Sequence, residues 1–125
     1  MLLCSDSFAY DVTNEPVSVF PPVLGTMFMD IEGVVKQVVL VVPHSYVYID
    51  VKKGAETETW VLEATSRNGL EKIGVTRDYL KVGDAVKARC HQLKDGSNGC
   101  LLGFLKGPDG VVKNWDGDTG PVPSL

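Results

Sequence analysis

The apolar positions of this chain gather in runs of strand length, and the densest lies between Gly33 and Val51, GVVKQVVLVVPHSYVYIDV. Pro43-His44-Ser45 divides that run into two predicted strands. The first, 27–42, is nearly continuous, with Val34, Val35, Val38, Val39, Leu40, Val41 and Val42. Such a pattern suits a strand covered on both faces for part of its length, or one bent by a bulge, and Gly33 is the candidate bend. The second, 45–51, alternates: Val47, Ile49 and Val51 share one face, Tyr46, Tyr48 and Asp50 the other. A polar hairpin loop, Lys52 to Glu56, leads into a third strand, 57–63. There Trp60 and Leu62 oppose Val61 and Glu63.

The period then changes. Thr65 or Ser66 can cap a short helix in which Leu70 and Ile73 form an apolar pair and Gly74 occupies the C-terminal cap. Thr76 to Leu80 reads as a second helical turn. A tight turn, Lys81 to Asp84, opens a fourth strand, 84–92, with Val86, Ala88 and Cys90 facing away from Lys87, Arg89 and His91. The hairpin turn KDGSNG, Lys94 to Gly99, precedes a fifth strand near 100–106. Pro108-Asp109-Gly110 precedes a short sixth strand at Val111-Val112-Lys113. Strand, strand, strand, short helix, strand, strand is the order of a five- to six-stranded OB-like Greek-key barrel, and the expected class is all-β with one or two short helices. The interior of such a barrel is filled by side chains or holds one small ligand.

At 125 residues the chain is expected to form a single domain, 1–125. Breakers such as Asn14-Glu15-Pro16 and Phe20-Pro21-Pro22 make 1–26 an N-terminal arm, pinned by Phe8, Tyr10 and Phe20, with Val17-Ser18-Val19 as an edge strand. The Gly-, Pro- and Asp-rich stretch 114–125 is expected to cross the surface or fray as a C-terminal tail. A hydrophobic fraction of 44% supports a packed core. Twelve Lys+Arg against 16 Asp+Glu leave a formal charge of -4, which argues against nucleic acid as the main partner. No apolar run is long enough for a membrane span. The start, MLLCSDS, lacks a secretory pattern, so the protein is cytoplasmic unless a leader has been removed. Cys4, Cys90 and Cys100 are too few for a disulfide framework; the latter two flank a turn, and whether they bridge depends on a register the sequence does not give, with two buried free thiols the preferred reading.

An ordered set of short motifs runs through the chain. It comprises Gly33-Val34-Val35, Val42-Pro43-His44, Trp60-Val61-Leu62-Glu63 and Ser66-Arg67-Asn68 with Leu70. Leu80-Lys81-Val82-Gly83-Asp84, Asp95-Gly96 and Pro108-Asp109-Gly110 complete it. The set resembles a family of small, usually exported bacterial proteins classed as a domain of unknown function, whose pattern runs G-T-V, N-P-H, W-x-x-E, S-P-N, L-K-x-G-D, D-G and P-D-G. Val42 replaces the asparagine of N-P-H and Arg67 the proline of S-P-N. Where many members begin A-H-H-S-F, this chain has Ser5-Asp6-Ser7-Phe8-Ala9, so any metal role of those histidines is absent. The resemblance implies a β-barrel and, for the mature form, a periplasmic location. It brings no activity.

His44 is the sharpest chemical candidate. It follows a proline at a strand corner, beside Tyr46 and Tyr48, and an imidazole moves protons near neutral pH. Its plainer role is a corner residue bonded to a backbone carbonyl. Glu63 ends the strand that carries Trp60; if it meets the tyrosine face inside the barrel, desolvation makes it an acid or base. Trp60, Arg67 and Asn68 are the ligand-binding candidates, the last two at a helix start that can hold an anion or carbonyl oxygen. A core tryptophan and a capping network are the competing readings. His91 with Lys87 and Arg89 reads as a solvated face. With only His44 and His91 as histidines and no C-x-x-C, no metal set forms, and no phosphate loop or other cofactor motif occurs. Two functions follow. One is a module binding a small apolar molecule or a protein partner; the other is a cofactor-free isomerase, cyclase or lyase in which His44, Tyr46, Tyr48 and Glu63 share proton transfer. A homo-oligomer built through an exposed edge strand is a third reading.

Overall fold

The computed structural model describes residues 28–125; the expected arm, its edge strand and Cys4 lie outside the described residues. Six strands and one helix follow in the predicted order: β1 (Met29–Val39), β2 (Ser45–Lys53), β3 (Glu56–Ala64), α1 (Arg67–Lys72), β4 (Ala85–Gln92), β5 (Gly99–Lys106) and β6 (Val112–Asn114). The strands pair in the order β3-β2-β1-β4-β5-β6, and a parallel pairing of β3 with β5 closes the first five into a barrel. The protein is a small all-β barrel with a sixth strand. The expected second helical turn is a plain turn, with Tyr79 N–H donating to the Thr76 carbonyl at 3.0 Å.

Alternation in β2 and β4 decides what points inward. Val47 and Ile49 from β2, Leu62 from β3, Ala88 and Cys90 from β4, and Leu105 from β5 are all fully buried. The nearly continuous apolar run of β1 has a different explanation from cover on both faces. The register with β2 slips between Val35 and Gln37, so a bulge at Lys36 resets the inward phase. Val35 is buried before it, Val38 and Leu40 pack on the core after it, and Val41 and Val42 are exposed in the corner. Gly33 is needed for space: a Cβ there would lie 2.5 Å from the Asp50 carbonyl oxygen on β2.

The turn motif Leu80 to Asp84 acts as a clamp. Val35 N–H donates to the Asp84 carbonyl and Gly83 N–H donates to the Val35 carbonyl, both at 2.8 Å, and Asp84 Oδ2 accepts from Lys81 N–H at 2.8 Å. Helix α1 ends in a Schellman arrangement. Gly74, at φ 85°, donates to Glu71, and Val75 donates to Leu70, with both Leu70 and Val75 buried. The tail expected to fray is tied down at its start. Trp115 is fully buried, its N–H donates to the Gly103 carbonyl at 2.7 Å, and its carbonyl accepts from Thr65 N–H at 3.0 Å.

Of the two arrangements open to Cys90 and Cys100, the structure has the disulfide and not the free thiols preferred from sequence. A β4–β5 register shift between Arg89 and Cys90 brings both side chains to the inward face, with Cα atoms 5.7 Å apart, inside bridging range. Cys100 is also the residue that pairs with Leu62 at the closure, so the bridge ties β4 to the strand that completes the barrel.

Two stability measurements test this account. Reducing the Cys90–Cys100 bridge, or replacing both residues with serine, should cost about 3 kcal/mol by the loop-entropy relation for a ring of this size, read as a lower urea midpoint with far-UV CD retained. Gly33→Ala should destabilise by about 1–3 kcal/mol because the new methyl meets backbone, not a side chain that can move aside.

Candidate functional site

The fold brings His44 and Glu63 together, but on the outside of the barrel. Antiparallel pairing sets Tyr46 opposite Glu63, Tyr48 opposite Val61 and Asp50 opposite Thr59. These residues occupy the outward phase of strands whose inward phase is Val47, Ile49, Trp60 and Leu62. His44 Nδ1 lies 3.4 Å from Glu63 Oε2, with side-chain exposures of 53% and 35%. The expected acid–base group is therefore assembled in part, open to solvent, and does not share a desolvated barrel mouth.

The corner that presents His44 is held from below. Ser45, fully buried, donates its hydroxyl to the Val41 carbonyl and accepts from Val41 N–H, both at 3.2 Å. Arg67 N–H reaches the same Val41 carbonyl at 3.0 Å, and the Val42–Pro43 peptide is cis. Asp50 accepts a 3.1 Å hydrogen bond from Thr59 Oγ1, and Lys36 Nζ sits 4.0 Å from its carboxylate.

The ligand-binding candidates separate. Trp60 points inward opposite Ile49 at 8% exposure, which makes it core, and its Nε1–H finds no partner among the described residues. Arg67 and Asn68 are exposed on a six-residue helix whose cap is Ser66, accepting from Gly69 N–H at 3.3 Å. The structure brings neither of them to Trp60 or His44 by any contact it records.

A second place, not read from the sequence, lies further round the same outer face. The pairings Val39 to Tyr46, Tyr46 to Glu63, Glu63 to Leu101 and Leu101 to His91 run as one row from β1 to β4. At its far end Phe28, His91, Leu101, Gly103, Phe104 and Asp116 line a recess of about 300 Å³. The Phe28 and His91 rings are stacked with centroids 4.1 Å apart, tilted by 33°. The Asp116 backbone N–H donates to Asn114 Oδ1 at 3.0 Å, a turn that follows β6 at the rim. Partial burial pushes the Asp116 pKa up; the His91 ring pulls it down and Asp118 adds to the rise. The strand face expected to be solvated carries solvent-exposed ion pairs. Arg89 grips Asp30 through two bonds, 2.8 and 3.1 Å, which hold the Asp30 carboxyl below its ordinary range, and Lys87 lies 3.6 Å from Glu32.

No signal in the sequence locates this recess. Phe28 precedes the first clean alternation, Phe104 lies beyond the β4–β5 slip, and Asp116 belongs to a stretch that reads as tail. Among the described residues no group of His, Cys, Asp or Glu suits a metal ion, and no helix is long and apolar enough to cross a membrane.

Fold and surface together define a small all-β barrel, with Trp60 and Trp115 in its core and the His44–Glu63 pair and the Phe28–His91 stack on its outer wall. The chain belongs to a family of unknown function (DUF6152), whose match spans residues 24–102 and so takes in the bulged strand, the corner and the barrel closure. None of the curated proteins matches the chain. Among solved structures it is similar to the mitochondrial single-stranded DNA binding protein Rim1 of S. cerevisiae, at 12% identity and a TM-score of 0.48, covering 65% of this chain and 93% of that one. Similarity at that level carries no inference about what this chain binds.

Removing the Glu63 charge should do little: Glu63→Gln should change stability by less than about 1 kcal/mol, as for other solvent-exposed ion pairs. Ser45→Ala should cost about 1–3 kcal/mol, because it strands a backbone donor beneath the corner. The two urea curves separate the roles of the displayed pair and its support.

The raised pKa of Asp116 means that the folded chain holds this proton more readily than the unfolded one. The resulting stabilisation is full below the unfolded aspartate pKa and is lost as pH rises through the folded value. Asp116→Asn should therefore be more stable than wild type at neutral pH and equal to it near about pH 3, a difference read from thermal melts at the two pH values.

Proposed function

We propose that this chain is a non-catalytic binding module for a small, largely apolar molecule, held in the recess on the outer face of β4, β5 and β6. The observation that supports this most directly is the recess itself. Its walls are aromatic and aliphatic, with few polar groups at the rim, the composition expected of a small-molecule site. The barrel axis is a poorer host, since Val47, Ile49, Leu62, Ala88 and Leu105 leave it filled with side chains. In this reading the OB-like barrel is a rigid support and the bulged outer wall is the working surface.

An acid–base enzyme is the second reading, supported by the 3.4 Å contact of His44 with Glu63 and by Tyr46 beside them. The open setting favours the binding reading, because a proton-transfer site gains most where water is excluded. A disulfide closed within the core favours an oxidising compartment, in keeping with the periplasmic location that the family resemblance implies.

The test is a titration of the protein with neutral 2-phenylethanol, followed by amide NMR. Shifts should cluster on residues 101–104 and 114–116 and be absent around 44–46 and 63. Gly103→Ala, which places a methyl 3.7 Å from the Phe28 ring in the floor of the recess, should weaken them. Shifts confined to the His44–Glu63 corner would move the site there and restore the enzyme reading.

A further inference from the structure

We propose that Asn98 is a site of self-modification: in the folded chain its side-chain amide is converted to a carboxylate by attack of the Gly99 nitrogen, and the change loosens the barrel closure. This chemistry makes no use of the recess.

The chain holds two Asn-Gly pairs, Asn68-Gly69 and Asn98-Gly99. Asparagine is among the thermally labile residues, and a following glycine puts no Cβ in the way of its side chain. The Gly99 nitrogen bonds to Asn98 Cγ as the Cγ–Nδ2 bond breaks, and the proton of the attacking N–H leaves with the amine as ammonia. Water then opens the cyclic imide. Cleavage of the new N–Cγ bond gives aspartate. Cleavage between that nitrogen and the original peptide carbonyl gives isoaspartate, whose main chain runs through Cβ and Cγ. One water is consumed, one ammonia is released, and no atom changes oxidation state.

The two pairs stand in different settings. Asn68 lies in α1, where Gly69 N–H donates to the Ser66 hydroxyl at 3.3 Å and Leu70 N–H to the Ser66 carbonyl at 3.0 Å. Swinging the Gly69 nitrogen onto Asn68 Cγ breaks that first helical turn. Space is also short there: a Cβ on Gly69 would lie 2.8 Å from the Thr65 side chain, and one on Gly117 would lie 3.3 Å from the Gly69 carbonyl. Asn98 is exposed, in the turn between β4 and β5 and outside both strands. Gly99 is buried, yet its N–H is directed back into that turn, to the Ser97 carbonyl at 2.8 Å. Releasing a bond between residues two apart disturbs no strand pairing.

The position gives the change a consequence. The Asn98 carbonyl accepts from Val61 N–H at 3.0 Å, directly ahead of the Val61–Gly99 pairing that begins the β3–β5 contact. In the isoaspartyl product this carbonyl belongs to a pendant carboxylate, and the main chain entering β5 is one atom longer. A parallel contact of three residues has little to spare for such a displacement.

The full chain, held at mildly alkaline pH with and without urea, tests this by peptide mass spectrometry with fragmentation that separates aspartate from isoaspartate. In native buffer the amide-to-acid mass gain should collect on Asn98 several-fold ahead of Asn68, and in urea the two rates should converge. Val61 amide exchange should be faster in aged protein than in fresh. Asn98→Gln, whose longer side chain closes the ring poorly, should show neither change on ageing. If Asn98 stays unmodified in native buffer, or if Asn68 reacts as fast there, the site is wrong. If Asn98 reacts and Val61 exchange stays at its fresh value, the link to the closure is wrong.

Discussion

The three-residue parallel contact between β3 and β5 is what turns a meander into a barrel. Val61, Leu62 and Glu63 meet Gly99, Cys100 and Leu101, and among the described residues no other strand pairing joins the two ends of the five-stranded sheet. Parallel pairing over so short a length is weak by itself. Neighbouring interactions support it. The disulfide holds Cys100 against β4, Leu62 is buried beneath the contact, and the Asn98 carbonyl accepts from Val61 N–H at 3.0 Å just before it. The outer row from Tyr46 through Glu63 and Leu101 to His91 exists because this contact is made, so both candidate sites depend on it.

Most of the strand plan was legible in the sequence, because alternation is a local property. Val47 and Ile49 against Tyr46 and Tyr48, and Val86, Ala88 and Cys90 against Lys87, Arg89 and His91, keep their predicted faces. So does the helix that ends at Gly74. What was hidden depends on register. The bulge at Lys36 makes β1 look doubly covered when it is singly covered in two phases. The slip beside Cys90 sets two thiols within reach of one another. Trp115, in a stretch whose composition reads as tail, is drawn in by long-range bonds to Gly103 and Thr65 that no local pattern announces.

The same distinction applies to the surface. His44 and Glu63 were each read as candidates whose meeting inside the barrel was conditional, and they do lie together, but on the outside. Whether that meeting lies inside or outside depends on which face of β2 closes over the core. Ile49 and Trp60 settle that, taking the interior and leaving the tyrosines outside. The recess was beyond reach of pattern reading, since it joins Phe28, β4, β5 and the turn after β6, four segments spread over most of the described chain. Several of the motif residues that carry the family resemblance, Gly33, Gly83, Asp84, Asp109 and Gly110, serve turns and close approaches. They mark the fold more than the chemistry.

The far edge of β5 is divided: its first half pairs with β3, its second half, Phe104 to Lys106, with β6. Two strands thus lie end to end along one edge, and neither can lengthen toward the other without displacing it. Seen mechanically, a pull applied to the chain beyond Trp115 would load β6 and the buried indole first. That load reaches the end of β3 only through the single bond from Thr65 N–H to the Trp115 carbonyl, while the three-residue closure lies in a separate part of the edge. The C-terminal side of the barrel is thus joined to the closing strand at one backbone bond, and to the rest of the sheet through β5.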